Sequence, residues 1–249
     1  MNAPLLSARN LSLRFGGFYA VHDLSLEFQP GCRLALIGPN GAGKTSLINL
    51  LTGVTAPTSG QVMLGDLDIS SWGPASRVRA GLVRTFQINT LFGESSARES
   101  TALAIFERER LTSTFWRTAR RYQHVWDEAG QLLTSLGLTG FLDCPVKELP
   151  YGRQRLVEIA LALACRPRVL FLDEPAAGIP EGESEAVLDV IGSLPADLSV
   201  VLIEHDMQLV FRFAKEIAVL VAGGLLTRGS PTEVAADERV RQVYLGTTA

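Results

Sequence analysis

The sequence predicts an α/β fold in which a core with a mostly parallel sheet is interrupted by a helical insertion. Three observations lead to this prediction. Strand-like and helical segments alternate in 1–88 and again in 166–249. Between them, in 89–165, strand-like runs give way to helical ones. A glycine-rich loop also joins an apolar strand to a helix. We therefore expect a single domain, 1–249, in which 89–165 form an inserted α-helical subdomain within the core.

The first half of the core opens with two segments that alternate apolar and polar residues, as half-buried strands do. These segments are Leu5–Leu13 and Val21–Phe28. Arg33–Ile37 is mostly apolar, which is typical of a buried strand, and Thr45–Leu51 has helical spacing. A further short strand is predicted at Gln61–Leu64.

The remaining elements follow from helical spacing in the insertion and from βα alternation after it. They are, in chain order, helices Ala97–Arg110, Phe115–Leu136 and Arg153–Cys165, strand Val169–Leu172, helix Glu183–Ser193, strand Val200–Glu204, a hairpin of Ile217–Ala222 with Gly224–Arg228, and a final helix Thr232–Tyr244. The core therefore resumes after the insertion.

Composition excludes several classes of protein. The 249 residues are 47% hydrophobic and 20% charged, with a formal net charge of −3, which argues against nucleic acid as the main partner. Three scattered cysteines without CxxC spacing indicate reduced thiols rather than a metal site. The longest apolar stretches, Ile159–Cys165 and Ile217–Leu226, are far shorter than the roughly 20 residues of a membrane span. We therefore expect any membrane role to come through a partner.

Residues 38–45 read GPNGAGKT and match the P-loop pattern between a strand and a helix. Glycines let backbone N–H groups turn inward around phosphate oxygens, and the helix beginning near Lys44 adds its positive end. Lys44 would reach the β- and γ-phosphates, and Thr45 would bind Mg²⁺. The alternative is a chance glycine-rich turn, which the strand–loop–helix context disfavours. The predicted ATP-binding residues here are Gly38, Pro39, Asn40, Gly41, Ala42, Gly43, Lys44, Thr45 and Ser46.

Polar residues also follow two other predicted core strands. Asp173 and Glu174 end an apolar strand, and open parallel sheets bind ligands at that edge. Asp173 would hold Mg²⁺, and Glu174 would act as general base on the attacking water. His205 follows another buried strand and would contact the γ-phosphate and hold that water. An exposed acidic turn and a structural histidine are the alternatives.

Taken together, these residues resemble ABC ATPases over nearly the whole chain. The resemblance implies an ABC ATPase core with a mostly parallel sheet, an N-terminal antiparallel β subdomain and the inserted α-helical subdomain. Gln87 matches the family's Q-loop, which touches Mg²⁺ and the membrane partner, unless it is an ordinary surface glutamine. Phe15 matches the aromatic residue that stacks on adenine, unless it is a core residue at a strand end.

The run Leu149–Arg155 occupies the place of the family signature, which is usually Leu-Ser-Gly-Gly-Gln. In the family two ATPase domains pack head to tail, and each signature caps the γ-phosphate held by the other domain. Gly152 permits close backbone approach, and a helix from Arg153 would point its N-terminus at the phosphate. The predicted signature residues are Pro150, Tyr151, Gly152, Arg153 and Gln154.

This signature departs from the family pattern. Pro150 replaces a serine, which removes a hydroxyl donor, and Arg153 replaces a glutamine, although arginine can still pair with phosphate. We therefore expect an altered or weakened cap on an intact fold. Pro180 also displaces a usual asparagine–proline step in the loop after Glu174. That loop normally crosses the dimer interface.

The finer resemblance is to ATPase subunits of branched-chain amino acid importers. It is carried by Tyr151-Gly152, by 173–178 and by the ending Val243–Gly246, among other stretches. It implies ATP and Mg²⁺, a second ATPase subunit, transmembrane permeases, a periplasmic or extracellular binding protein, and a place on the cytoplasmic face of the membrane. The alternatives are a catalytically weak regulatory subunit, an exporter subunit or a lipid-extracting ATPase.

Overall fold

Two sheets and a set of helices make up the chain, as the sequence predicts. The computed structural model describes residues 3–85, 93–111 and 122–245. It divides into two compact units, the first comprising Met1–Leu82, Arg168–Glu174 and Pro195–Ala249, the second Val83–Pro167 and Pro175–Leu194. The domain boundaries drawn from the sequence, 1–88, 89–165 and 166–249, stay a prediction.

The strands in the described part of the chain are, in order, β1 (Leu6–Phe15), β2 (Phe18–Phe28), β3 (Arg33–Ile37), β4 (Ser59–Leu64), β5 (Leu67–Asp68), β6 (Leu82–Arg84), β7 (Val169–Asp173), β8 (Ser199–Ile203), β9 (Glu216–Val221) and β10 (Gly224–Gly229). The α-helices there are α1 (Lys44–Thr52), α2 (Pro74–Arg79), α3 (Ala97–Arg108), α4 (Gln123–Ser135), α5 (Tyr151–Ala164), α6 (Glu181–Ser193), α7 (Met207–Phe213), α8 (Pro231–Ala236) and α9 (Glu238–Leu245).

The first sheet is antiparallel and has the order β2-β1-β4-β5. This confirms the N-terminal antiparallel β subdomain that the family resemblance implies. The second sheet has the order β10-β9-β3-β8-β7-β6. Its pairs β9–β3, β3–β8 and β8–β7 are parallel, whereas β10 joins β9 as an antiparallel hairpin. The central strands are buried along their length, as strands with both faces covered are expected to be.

The prediction of one final helix, Thr232–Tyr244, is wrong. The segment forms two helices, α8 and α9, because Asp237 between them has extended backbone angles, φ −69° and ψ 115°. The Asp237 carboxylate accepts hydrogen bonds from the backbone amide of Arg239 (2.9 Å) and from its guanidinium, which lowers the pKa of Asp237 to about 2. A carboxylate that binds a first-turn amide starts a new helix.

The signature helix also differs from its prediction. It begins at Tyr151 rather than Arg153, so Gly152 and Arg153 lie in its first turn. Pro150 precedes it, with a φ of −52° that suits a helix start. The short helices α2 and α7 were not predicted. Of the predicted helix Phe115–Leu136, residues 115–121 lie outside the described part of the chain.

A buried arginine caps the C-terminal end of α1, the helix that follows the P-loop. Arg77 is fully buried, and its guanidinium donates to the carbonyls of Leu50 (2.5 Å) and Leu51 (2.8 Å) in the last turn of α1. The last carbonyls of a helix have no hydrogen-bond donor within it, and a positive charge there interacts favourably with the helix dipole. The Arg77 guanidinium also donates to the carbonyls of Ile69, Ser70 and Trp72. Burial lowers the pKa of Arg77 to about 10, so it stays charged at neutral pH.

We expect Arg77→Met to lower the free energy of unfolding by about 3 kcal/mol or more, because three buried and two partly buried carbonyls lose a charged donor. Arg77→Lys should recover part of this loss, since an ammonium cannot reach all five acceptors at once. Urea unfolding would measure the effect. The control is Arg79→Met at an exposed position of α2, the helix that also carries Arg77. This change should alter the free energy of unfolding by no more than about 0.5 kcal/mol. Equal losses at the two positions would contradict the role given to Arg77.

Candidate functional site

Three parallel strands of the second sheet end at the same level. Ile203, the last residue of β8, is the register partner of both Leu36 in β3 and Asp173 in β7. The P-loop therefore begins two residues after Leu36. Glu174 and Glu204 are the first residues of the other two loops, one residue after the shared level. Because neighbouring strands lie about 4.8 Å apart, β3 and β7 are separated by about 10 Å. The predicted site residues on these three loops share one edge of the sheet.

The P-loop leads into α1 through a left-handed glycine. Gly43 has a φ of +96°, and a Cβ there would collide with the carbonyl oxygen of Ala20 in β2. Only glycine tolerates both conditions. No side chain caps α1 and its first turn has no acidic residue, so the positive end of the helix points along the loop without a carboxylate of its own. This geometry suits a phosphate.

The Lys44 ammonium contacts the backbone at the start of the P-loop. It donates to the carbonyls of Gly38 (2.7 Å) and Pro39 (3.1 Å). Burial lowers the pKa of Lys44, while the carboxylates of Glu174 and Asp173 raise it. The acidic end of β7 therefore contributes to the electrostatic environment of the P-loop lysine. Thr45, the second residue of α1, is exposed.

The chain turns sharply at Glu174. The residue has a φ of +47°, a left-handed conformation that is strained for a side chain with a Cβ. Its backbone amide donates to the carbonyl of Ile203 (2.9 Å), which fixes the turn against β8. The Glu174 side chain remains half-exposed and is accessible to water.

His205 lies beside Glu174. Its Nδ1 is 3.7 Å from a carboxylate oxygen of Glu174 and 3.8 Å from one of Glu204. Glu204 is only 2% exposed and accepts a hydrogen bond from the His205 backbone amide at 3.1 Å. Sequence analysis missed Glu204, although a carboxylate directly before a predicted site histidine was a usable signal. The buried Glu204 carboxylate therefore stabilises the turn that contains His205.

Two aromatic rings project from the tip of the β1–β2 hairpin. Phe15 and Phe18 are register partners across Gly16-Gly17, so they share a face of the sheet, and they are 59% and 64% exposed. The hairpin is held on the P-loop through Ala20, whose carbonyl meets Gly43. Phe15 is therefore an exposed ring at the tip of a hairpin that approaches the P-loop at Ala20, not a core aromatic.

The C-terminal helix reaches the same loop. Burial raises the pKa of the Tyr244 phenol in α9, and a hydrogen bond with the Gly38 backbone partly offsets this rise. Val240 packs in a cluster with Ala35 and Ile37 of β3. Sequence analysis gave α9 no part in the site. No local motif marks this contact, because it depends on tertiary packing.

In the second unit, the signature loop is tied to the segment after Glu174. Arg155 of α5 donates to the Tyr151 hydroxyl (3.0 Å) and to the Ala177 carbonyl (3.5 Å). Arg155 also pairs with Glu158 (2.9 Å), whose pKa burial raises to about 7. The Tyr151 ring packs on Gly178.

The side chains around the signature turn inward within their own unit. Arg153 donates to the Gly137 carbonyl (3.2 Å) and lies over the Phe141 ring, and Gln154 donates to the Leu149 carbonyl (2.8 Å). A pairing of Arg153 with phosphate stays a prediction. The Gly152 amide donates to a carboxylate oxygen of Glu183 at 2.8 Å. Sequence analysis had assigned no role to Glu183.

Part of the predicted site cannot be placed. Gln87 lies outside the described residues. Within 3–85, 93–111 and 122–245, no three His, Cys, Asp or Glu side chains form a group that could hold a metal by themselves. The donors that the sequence offers for Mg²⁺, the Thr45 hydroxyl and the Asp173 carboxylate, are oxygens, which is the type this ion prefers. They fit an ion that takes its other oxygens from phosphate and water.

A sequence model of the family described as "ABC transporter" matches residues 21–177. The chain belongs to this family of ATP-binding proteins. A second family model, described as "Branched-chain amino acid ATP-binding cassette transporter", matches residues 225–249. As an ABC ATPase, the chain binds adenine nucleotide and hydrolyses ATP.

Several full-length relatives are similar to this ABC ATPase. The high-affinity branched-chain amino acid transport ATP-binding protein LivG of Escherichia coli (strain K12) is 37% identical, over 99% of each chain. The corresponding protein BraF of Pseudomonas aeruginosa is 36% identical, also over 99% of each chain. Among solved structures, the ADP conformation of MJ1267, an ATP-binding cassette of an ABC transporter, superposes with a TM-score of 0.86 and 29% identity, covering 98% of this chain and all of that one.

No helix in the described part of this ABC ATPase is long and apolar enough to serve as a membrane span.

We expect Phe15→Ala to raise the Kd for ATP roughly tenfold, because base–aromatic stacking contributes about 1–3 kcal/mol. Phe15→Trp should bind ATP nearly as well as the unaltered chain. Equilibrium binding of a fluorescent ATP analogue would measure this. Inorganic tripolyphosphate, which lacks the base, serves as the control ligand and should bind both chains equally. An equal loss for ATP and tripolyphosphate would mean that Phe15 supports the loop rather than the base.

Proposed function

We propose that this ABC ATPase energises an importer of branched-chain amino acids or related small amides and organic acids. The observation that carries the proposal is similarity over the full length to LivG and BraF, together with the match of 225–249 to the branched-chain family. The C-terminal segment is where this branch is distinguished, and Tyr244 in it contacts the P-loop. The cargo itself would be recognised by other subunits.

The hydrolysis step follows from the shared edge of β3, β8 and β7. ATP would bind with its base on Phe15 and its phosphates on the amides of the P-loop. Lys44 would exchange its two loop carbonyls for β- and γ-phosphate oxygens, which are better acceptors for an ammonium because they are charged. Mg²⁺, held by Thr45, Asp173 and the Q-loop residue Gln87, would neutralise charge on the phosphates.

Glu174 would accept a proton from the attacking water, and His205, 3.7 Å away, would hold that water against the γ-phosphate. The new bond forms between the water oxygen and the γ-phosphorus as the bond to the bridging oxygen of ADP breaks. ADP and inorganic phosphate leave, and the proton passes to solvent. The strained turn at Glu174 fixes the base before substrate arrives.

The coupling of hydrolysis to transport requires partners. We propose a second ATPase subunit packed head to tail, with the signature Pro150–Gln154 capping the γ-phosphate on the partner's P-loop. Transmembrane permeases would contact the helical segments of the second unit and hold the chain at the cytoplasmic face of the membrane. A periplasmic or extracellular binding protein would deliver the cargo. No nucleic acid takes part in this scheme.

One observation favours a second candidate, a catalytically weak regulatory subunit. Pro150 supplies no hydroxyl, and the Gly152 amide is already bonded to Glu183. A partner's phosphate would therefore find a poor cap on this chain. The chain's own P-loop site, with Lys44, Glu174 and His205, retains the hydrolytic groups.

Transport can be tested in proteoliposomes that hold this chain, the second ATPase subunit and the permeases of its transporter, with ATP inside and binding protein and labelled leucine outside. We expect ATP-dependent uptake that Lys44→Ala lowers roughly 100-fold, because the lysine charge stabilises the phosphates. A matched control is Lys215→Ala, because Lys215 is exposed and lies directly before β9, far from the P-loop in sequence. ATP-driven release of leucine, or hydrolysis that moves no amino acid or related amide, would contradict import.

A further inference from the structure

A carboxylate is already hydrogen-bonded to the main backbone donor of the signature. Glu183, in the first turn of α6, accepts a hydrogen bond from the backbone amide of Gly152 at 2.8 Å. The approach is close enough that a Cβ on Gly152 would lie 2.8 Å from the same carboxylate oxygen and 3.1 Å from the Glu183 Cβ. In this structure, the close approach that requires glycine at 152 is therefore made by Glu183.

The Gly152 amide is the donor that a phosphate would need. It lies in the first turn of α5, a helix of 14 residues, where amides have no carbonyl partner within the helix and carry the positive end of its dipole. Two neighbouring positions add no donor: the Gln154 backbone amide already donates to the Pro150 carbonyl at 3.0 Å, and Pro150 has neither a hydroxyl nor an amide hydrogen. Glu183 therefore takes one of the first-turn amides that this signature can offer to an anion.

The backbones that carry this contact are fixed to each other. Arg155 of α5 reaches the Ala177 carbonyl, and the Tyr151 ring packs against Gly178, a few residues before α6. The Glu183 side chain is half-buried and lies on the first turn of its own helix, where the dipole also favours a negative charge. It can leave Gly152 by rotating its side chain, without any shift of the helices.

We propose that Glu183 competes with the partner-bound γ-phosphate for the Gly152 amide and so sets the ATP concentration at which two ATPase domains close. The proposal rests on the head-to-tail dimer of the proposed function. One amide hydrogen cannot serve two anions well, and the carboxylate and the phosphate repel each other at that distance. Closure therefore requires Glu183 to withdraw, and the cost of withdrawal raises the ATP concentration needed.

The test measures closure separately from nucleotide binding. In a Glu174→Gln background, which slows hydrolysis, sedimentation velocity gives the Mg-ATP concentration for half-maximal dimer. The chain is measured alone and with the second ATPase subunit of its transporter. We expect Glu183→Ala to lower this concentration roughly five- to tenfold and Glu183→Gln to lower it less, because a neutral amide oxygen still accepts the bond but more weakly.

Two controls separate competition from a general effect. Glu185→Gln removes the same charge from an exposed position two residues along α6 and should leave the closing concentration unchanged. Binding of a fluorescent ATP analogue to dilute, monomeric chain should be the same in all variants, since Glu183 acts on the partner's nucleotide only.

Each outcome decides the matter. If the Glu174→Gln parent closes with ATP but Glu183→Ala and Glu183→Gln close at the same or a higher concentration, the competition is refuted and the dimer stands. If the parent does not close with ATP, either alone or with the second ATPase subunit, the proposed dimer is refuted and the competition with it. A shift that Glu185→Gln reproduces would reduce the effect to net charge and would also overturn the proposal.

Discussion

The site of this ABC ATPase depends on the common register of β3, β8 and β7. Ile203 pairs with Leu36 on one side and Asp173 on the other, so the loops that follow all leave the sheet at one level. A slip of one residue in any strand would turn its side chains to the opposite face and move its loop along the edge. Apart from the half-buried Arg33 and Asp173, the residues of these strands are buried, and this burial fixes the register. The relative placement of the proposed catalytic groups therefore follows from packing of the core.

The helix after the P-loop is restrained at both ends by different means. Gly43 at its start accepts close approach of the Ala20 carbonyl, which docks the antiparallel sheet on the loop. Arg77 at its end supplies donors to two of its last carbonyls. The start must stay open to an anion, so it is shaped by backbone alone, whereas the end can be closed by a buried charge. This asymmetry leaves the positive end of the helix available for phosphate.

How much could be predicted depended on whether the signal was local. The positions of the P-loop, Asp173-Glu174 and His205 at the ends of core strands could be predicted because each motif follows directly from an apolar strand, whereas their roles stay a prediction. Arg77, Glu183 and Tyr244 were not predicted, since their roles come from partners that lie 26, 31 and more than 200 residues away in sequence. The break at Asp237 was missed because helical spacing continues across it. The altered signature was recognised from Pro150, but its consequence required seeing what the Gly152 amide binds.

The central claim is that the edge formed by the three strands hydrolyses ATP with Glu174 as base. The most direct measurement is phosphate release from Mg-ATP by the purified transporter subunits, comparing the unaltered chain with Glu174→Gln while nucleotide binding is measured in parallel. The account predicts that release falls at least about 100-fold and that ATP still binds, because the charge-neutral amide keeps the turn but cannot take the proton. Unchanged release in the variant would contradict it.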